Sequence, residues 1–186
     1  MEEHYLKKEL YDLVKKDSRI FEFLQSGSLD GIWYWDLEKP EHEWMSPRFW
    51  ENFGYDPKEK KHLASEWQTM INQDDLKMCI SNFEKHKKDP NRPYDQIVRY
   101  TKKDGSIAWI RCRGLAIRDK NGTPIRMLGA HNDVTTLKET EASLHQKLNE
   151  LEQLNKQMIG REVKMDQLKK EVDTLLKELG RDKKYT

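Results

Sequence analysis

Net charge is what this sequence has least of: 34 Lys and Arg stand against 33 Asp and Glu in 186 residues. Without a field of one sign, neither a nucleic-acid backbone nor an anionic membrane surface is drawn to the chain, and neither is expected as a partner. Cysteine is nearly absent too. Cys79 and Cys112 stand alone, each inside an apolar pattern and with no CxxC or metal-ligand spacing, so both read as reduced core thiols and suit a cytoplasmic protein. No run of about 18 apolar residues exists, which argues against membrane insertion. The opening MEEHYLKKEL lacks the apolar core of a signal peptide, and none is expected. The six histidines form no HxxxH or HExxH pair, so no bound metal is expected. No nucleophile, base and orienting group recur at a recognised spacing, and no phosphate-cradling glycine loop occurs. The chain is therefore not expected to be an enzyme.

What is abundant is charge of both signs, 36% of residues against 35% hydrophobic, too polar for one globule of this length. The excess must be local, and the chain divides accordingly into 1–27, 28–135 and 136–186. In the first part Leu6, Leu10, Leu13, Asp17, Ile20 and Leu24 are spaced as one helix stripe. Asp17 or Ser18 could instead cap a second helix, RIFEFLQ, stopped by Ser26-Gly27-Ser28. Either way the segment is an N-terminal helical cap.

The middle part is mixed, and four of the six tryptophans crowd into Gly31 to Asp56. Ile32 to Leu37 is aromatic and β-favouring, a strand. Ser46 before Pro47 reads as an N-cap and first-turn proline for RFWENFG, ended by Gly54. Asp74 or Asp75 caps LKMCISNFEKHKK, which Asp89-Pro90 closes. Strands follow over Tyr94 to Lys102, Ser106 to Arg118 and Thr123 to Val134, joined by the hairpin dipeptides Asp104-Gly105 and Asn121-Gly122. This order predicts an α+β domain, an antiparallel sheet with its helices on one face.

The last part reads as helix throughout. Thr136 with Glu139 forms a capping box. Leu144, Leu148, Leu151, Asn155 and Met158 are spaced four and three, as are Met165, Leu168, Val172, Leu175 and Leu179, the pattern of a coiled-coil seam. The two runs are out of phase by about three residues near Gly160, which reads as a kink or hinge. The spacing predicts a homodimer through the terminal helices, with Asn155 fixing register.

The stretches GIWYWDL, WMSPRFWENFGYDP, VRYTKKDGSIAWIRCRGLAIRDKNGTP and GAHNDVT resemble the PAS sensory domains, in the subgroup whose first strand reads GIW-aromatic-WDL. One departure is Asn72-Gln73-Asp74-Asp75, where such domains usually carry His-Pro-Glu-Asp. The resemblance covers Gly31 to Thr135. It implies a five-stranded antiparallel sheet cupping a small pocket and a C-terminal helix that carries a signal, with Asp133, Thr135 and Thr136 at the junction. The bland reading of the two threonines is a helix cap.

Comparison with the light-sensing LOV branch of that family implies that Trp33 and Trp35, Arg99, Ile110, Cys112 and Gly114, and Met127, Gly129 and His131 point at the pocket. Trp33 and Trp35 either fill it or wall a flat ligand, and Trp44 and Trp50 pack helices onto the sheet. The Asn-Cys-Arg-Phe-Leu-Gln stretch of LOV domains has no counterpart between Leu63 and Asp75, so a photochemical flavin adduct is not expected. A redox flavin held by Arg99 and His131 stays open. Haem is not expected, because Leu76 stands where an axial histidine belongs and His86, beside Lys87 and Lys88, reads as solvent-facing. The resemblance implies a sensor that passes a ligand's effect through a paired coiled coil to an effector protein or output domain, in the manner of bacterial signalling. A ligand-free dimerisation scaffold is the alternative.

Overall fold

The computed structural model describes residues 5–185. They form two compact units, one ending at Thr136 and one beginning at Leu137.

The first unit opens with two helices, α1 (Tyr5–Lys16) and α2 (Ser18–Ser28). Asp17 separates them: its extended backbone breaks the first helix, and its carboxylate accepts from the Arg19 amide to cap the second. Of the two sequence readings, the capped pair is the one found. The serines and glycine at 26–28 do not stop α2, which runs through Ser28 because Leu29 is the first residue with extended backbone.

Five strands follow: β1 (Gly31–Asp36), β2 (Glu43–Met45), β3 (Tyr94–Thr101), β4 (Ile107–Arg118) and β5 (Pro124–Asp133). All pair antiparallel in the order β2-β1-β5-β4-β3. Gly105 and Gly122 take left-handed backbone in the two meander turns, a conformation that glycine reaches without the Cβ penalty. Between β2 and β3 lie α3 (Pro47–Asn52), a 3₁₀ turn at 57–59, α4 (Ala64–Gln68) and α5 (Gln73–Lys88).

Two caps differ from the sequence reading. Ser46 precedes α3 with extended backbone, yet its hydroxyl makes no cap bond; it accepts instead from the Ile32 amide at 3.0 Å, tying α3 to β1. The cap of α5 is Asn72, whose side-chain oxygen accepts from the amides of Asp74 and Asp75. The helix therefore starts at Gln73, and Asp75 is free to turn toward β3. His86 is buried rather than solvent-facing. Its Nδ1 donates to the Arg92 carbonyl while Nε2 accepts from the Ala116 amide at 3.1 Å, so one imidazole clips the end of α5 to β4.

The core lies between the inner face of the sheet and these helices, with Phe49, Trp50 and Phe53 of the α3 region packed on Trp33, Val98, Tyr100 and Met127. On the opposite face, paired residues Trp44, Tyr34, Leu128 and Leu115 make a row across β2, β1, β5 and β4 and are all exposed. Trp50 is core as expected; Trp44 is instead exposed on the outer face, because its neighbours Glu43 and Met45 take the inward positions of β2.

Helix α6 (Thr135–Glu178) begins at the end of the first unit and makes up most of the second. It runs without interruption through Gly160, so the out-of-phase seams do not break it. Gly180, with left-handed backbone, ends it, and the Asp173 carboxylate accepts from the amides of Lys184 and Tyr185, folding the following residues back along the last turns. No helix among the described residues is long and apolar enough to cross a membrane.

Candidate functional site

The inner face of the sheet is built in rows. In one row Trp33, Gly129, Gly114 and Tyr94 stand opposite one another on β1, β5, β4 and β3. The two glycines leave a trough, and the Trp33 indole lies in it. A Cβ at Gly129 would fall 2.0 Å from Trp33 Cε2, and one at Gly114 would fall 2.8 Å from Cη2. Beyond the glycines the indole meets the Tyr94 ring edge-on at 6.0 Å. The next row is Gly31, His131, Cys112 and Gln96.

Between these rows and the helices is a cavity of about 70 Å³. Its floor is Trp33, Cys112, Met127 and His131 from the sheet, with Trp35, Glu43 and Met45 at one side. Leu76, Cys79 and Phe83 of α5 and Trp67 of α4 form the roof, and Tyr94, Val98 and Tyr100 the far wall. Trp35 packs on Phe83 with ring centres 4.9 Å apart, and its Nε1 donates to the Pro40 carbonyl. Trp33 thus fills the trough between strands, and Trp35 lines the side of the cavity.

Polar groups interrupt the apolar lining. Glu43 is 5% exposed and accepts from Trp67 Nε1 at 2.7 Å. Burial raises its carboxyl from 4.5 to about 7, against the opposing pull of the Trp67 bond. His131 is buried, and burial lowers its imidazole to about 3, so it is neutral. Its Nδ1 and the Trp33 Nε1 have no hydrogen-bond partner among the described residues. The remaining titratable lining groups are also neutral at ordinary pH: burial lifts Cys79 to about 11 and raises Tyr94, Tyr100 and Cys112 well above their usual values.

Of the residues expected at the pocket, Trp33, Trp35, Cys112, Met127 and His131 line the cavity. Gly114 and Gly129 contribute by what they lack, as the bed of Trp33. Ile110 is buried in the core cluster but lies one row away, opposite Val98. Arg99 points elsewhere. Its guanidinium and amide bind the Asp75 carboxylate at 2.8 Å, a second contact reaches Asn72, and the carboxylate is held below the usual range mainly by this pairing. The inward residues of β3 are Tyr94, Gln96, Val98 and Tyr100, so Arg99 has the opposite parity. Glu43, Trp67, Phe83, Tyr94 and Tyr100 were missed. Glu43 is two residues before Met45 on one strand, and that spacing was the available signal.

The Arg99–His131 clamp for a flavin therefore does not form. The cavity, at about 70 Å³, is too small for a three-ring flavin nucleus, and the Trp33 indole already occupies the floor. Among the described residues no three His, Cys, Asp or Glu side chains are grouped to hold a metal.

The exit from β5 is tightly tied. The Asp133 amide donates to Asp30 Oδ2 at 2.7 Å, the Thr135 amide to Asp133 Oδ1 at 2.9 Å, and the Val134 amide to the Trp109 carbonyl at 2.8 Å. In return the Trp109 amide donates to Thr135 Oγ1 at 2.9 Å. Lys102 Nζ approaches Asp133 at 3.8 Å. Helix α6 thus starts at Thr135, one residue before the expected capping box, and Thr136 sits exposed in its first turn. The seam residues Leu144, Leu148, Leu151 and Met158 are more than half exposed on α6, and Asn155 is exposed as well.

The family model described as the PAS fold matches residues 42–131. A sensory box histidine kinase/response regulator from Burkholderia thailandensis E264 is 29% identical, covering 72% of this chain and 98% of its own with a TM-score of 0.60. The N-terminal domain of a diguanylate cyclase with PAS/PAC sensor from Marinobacter aquaeolei is 16% identical, covering 58% and 97%, TM-score 0.50. An RNA-binding light-oxygen-voltage receptor is 13% identical over 64% of this chain and 34% of its own, TM-score 0.52. No curated protein matches the chain. Five antiparallel strands cupping an aromatic cavity under short helices, matched by that family model and by these structures, give this chain the PAS fold.

Proposed function

We propose that the chain is a non-catalytic sensory module of the cytoplasm, in which occupancy of the cavity is relayed through Asp133 and Thr135 into α6 and onward through a paired coiled coil to an effector protein or output domain. The similarity to a sensory histidine kinase, at 29% identity over nearly all of that chain, supports the signalling role. The observation that carries the relay is continuity. His131 lines the cavity, and four residues further along the same backbone Thr135 opens α6 while bonded to Trp109 of β4. A change in the cavity that shifts β5 against β4 strains that bond directly, since strand and helix share one backbone.

The test uses a substitution that fills the cavity. Cys112→Leu, confirmed as folded by circular dichroism, should change amide exchange at residues 134–140 at least threefold, and Thr135→Val should abolish that response. Unchanged exchange there in folded Cys112→Leu protein would favour the scaffold instead. One observation supports that second reading: the exposed row Trp44, Tyr34, Leu128 and Leu115 is a ready surface for another protein.

A further inference from the structure

Taking the sensory reading of the cavity as its basis, we propose that the ligand is a small organic cation, a compact alkylammonium, held with Glu43 as its counter-ion inside an aromatic cage.

Among the described residues, Glu43 is a buried carboxylate with no cationic partner. Glu43 is almost fully buried; the Trp67 indole is its bonded partner, and no Lys, Arg or His contributes to its ionisation equilibrium. A buried carboxylate is costly unless it is paired. Elsewhere in this domain Asp75 pairs with Arg99 and Asp95 with Arg111. The cavity that Glu43 lines is otherwise bounded by the rings of tryptophans 33, 35 and 67, Phe83 and Tyr94 among others, and electron-rich ring faces attract a desolvated ammonium. His131 offers Nδ1, which lacks a partner and is neutral. The charge balance has one sign. Cys79, Tyr94, Tyr100, Cys112 and His131 face the cavity from α5, β3, β4 and β5, and all are neutral near pH 7. Ionised Glu43 leaves the chamber at minus one, which a monovalent cation neutralises. A volume of about 70 Å³ restricts it to a few non-hydrogen atoms, which excludes long polyamines.

The discriminating probes are methylammonium and its uncharged counterpart methanol, titrated into the full chain while the indole N–H resonances of tryptophans 33, 35 and 67 are followed by NMR. The ammonium should bind at least tenfold tighter than the alcohol, and Glu43→Gln should erase the difference. Because Glu43→Gln could unfold the domain, a second arm uses the unaltered protein. The ammonium stays charged throughout, so its affinity should fall about 30-fold from pH 8 to pH 5.5 as Glu43 takes up its proton. Equal affinity for both probes, an ammonium affinity independent of pH, or no shift of these resonances with either probe would overturn the proposal. The sensory reading is decided separately by exchange in Cys112→Leu, which needs no ligand.

Discussion

At the residue scale the decisive contact is between Trp33 and two missing side chains. Gly129→Ala would push a methyl into the indole and toward the Arg113 carbonyl 2.4 Å away. Overpacking of this kind costs about 3 kcal/mol or more, and denaturant unfolding should show the midpoint falling without a change in slope. The two buried titratable groups give opposite pH signatures. The folded-state value of Glu43 is raised from 4.5 to about 7, so its contribution is fully present below 4.5 and is lost as pH rises through 7. That of His131 is lowered from 6.5 to about 3, so its contribution is present above 6.5 and is lost as pH falls toward 3. Between 4.5 and 6.5 the two slopes oppose each other. Stability of Glu43→Gln relative to the unaltered chain should therefore grow by about 3 kcal/mol from pH 4.5 to 7.5, measured by urea unfolding at each pH. A flat difference would mean that the carboxyl is solvated. The comparison with the LOV branch put Trp33, Trp35, Cys112, Met127 and His131 on the side where the cavity lies, since each strand has one buried parity. The same comparison put Arg99 on the wrong parity of β3. The order YDQIVRYT, taken alone, puts tyrosines and Val98 on one side and Asp95 and Arg99 on the other, with buried Gln96 as the only blemish.

At the scale of elements, punctuation was the most legible part. Both glycine turns, Pro47 opening α3 and Asp89 closing α5 lie where their backbone preferences put them. Caps were less legible, since several acceptors compete within one turn and only three-dimensional geometry chooses. Asn72→Ala should destabilise the domain by about 1 kcal/mol, while Asp74→Ala, at an exposed position paired with Lys77, should change the thermal midpoint little. Reversal of that order would restore the acidic cap. The helix passing Gly160 teaches the same lesson: glycine disfavours helix by about 1 kcal/mol, too little to stop 44 residues of otherwise strong helix formers.

At the scale of the molecule, what remained hidden was the environment of Glu43. Glutamate is rarely buried, so residue type outweighs the inward parity that Glu43 shares with Met45, and its roof, Trp67 and Phe83, comes from helices distant in sequence. The long helix raises the opposite issue. Leu144, Leu148, Leu151 and Met158 expose more than half their surface, and a second copy is the expected cover. Sedimentation equilibrium should give a dimer at micromolar concentration, and Leu148→Glu with Leu151→Glu should give a folded monomer. A monomeric parent chain would remove the coiled-coil reading.

The indole bedded on Gly114 and Gly129 makes the capacity of the chamber an adjustable quantity governed by one side chain. Trimming Trp33 to leucine would open the floor beneath Trp67 and Phe83, so the volume enclosed between sheet and helices is set by how far one indole reaches across two glycines.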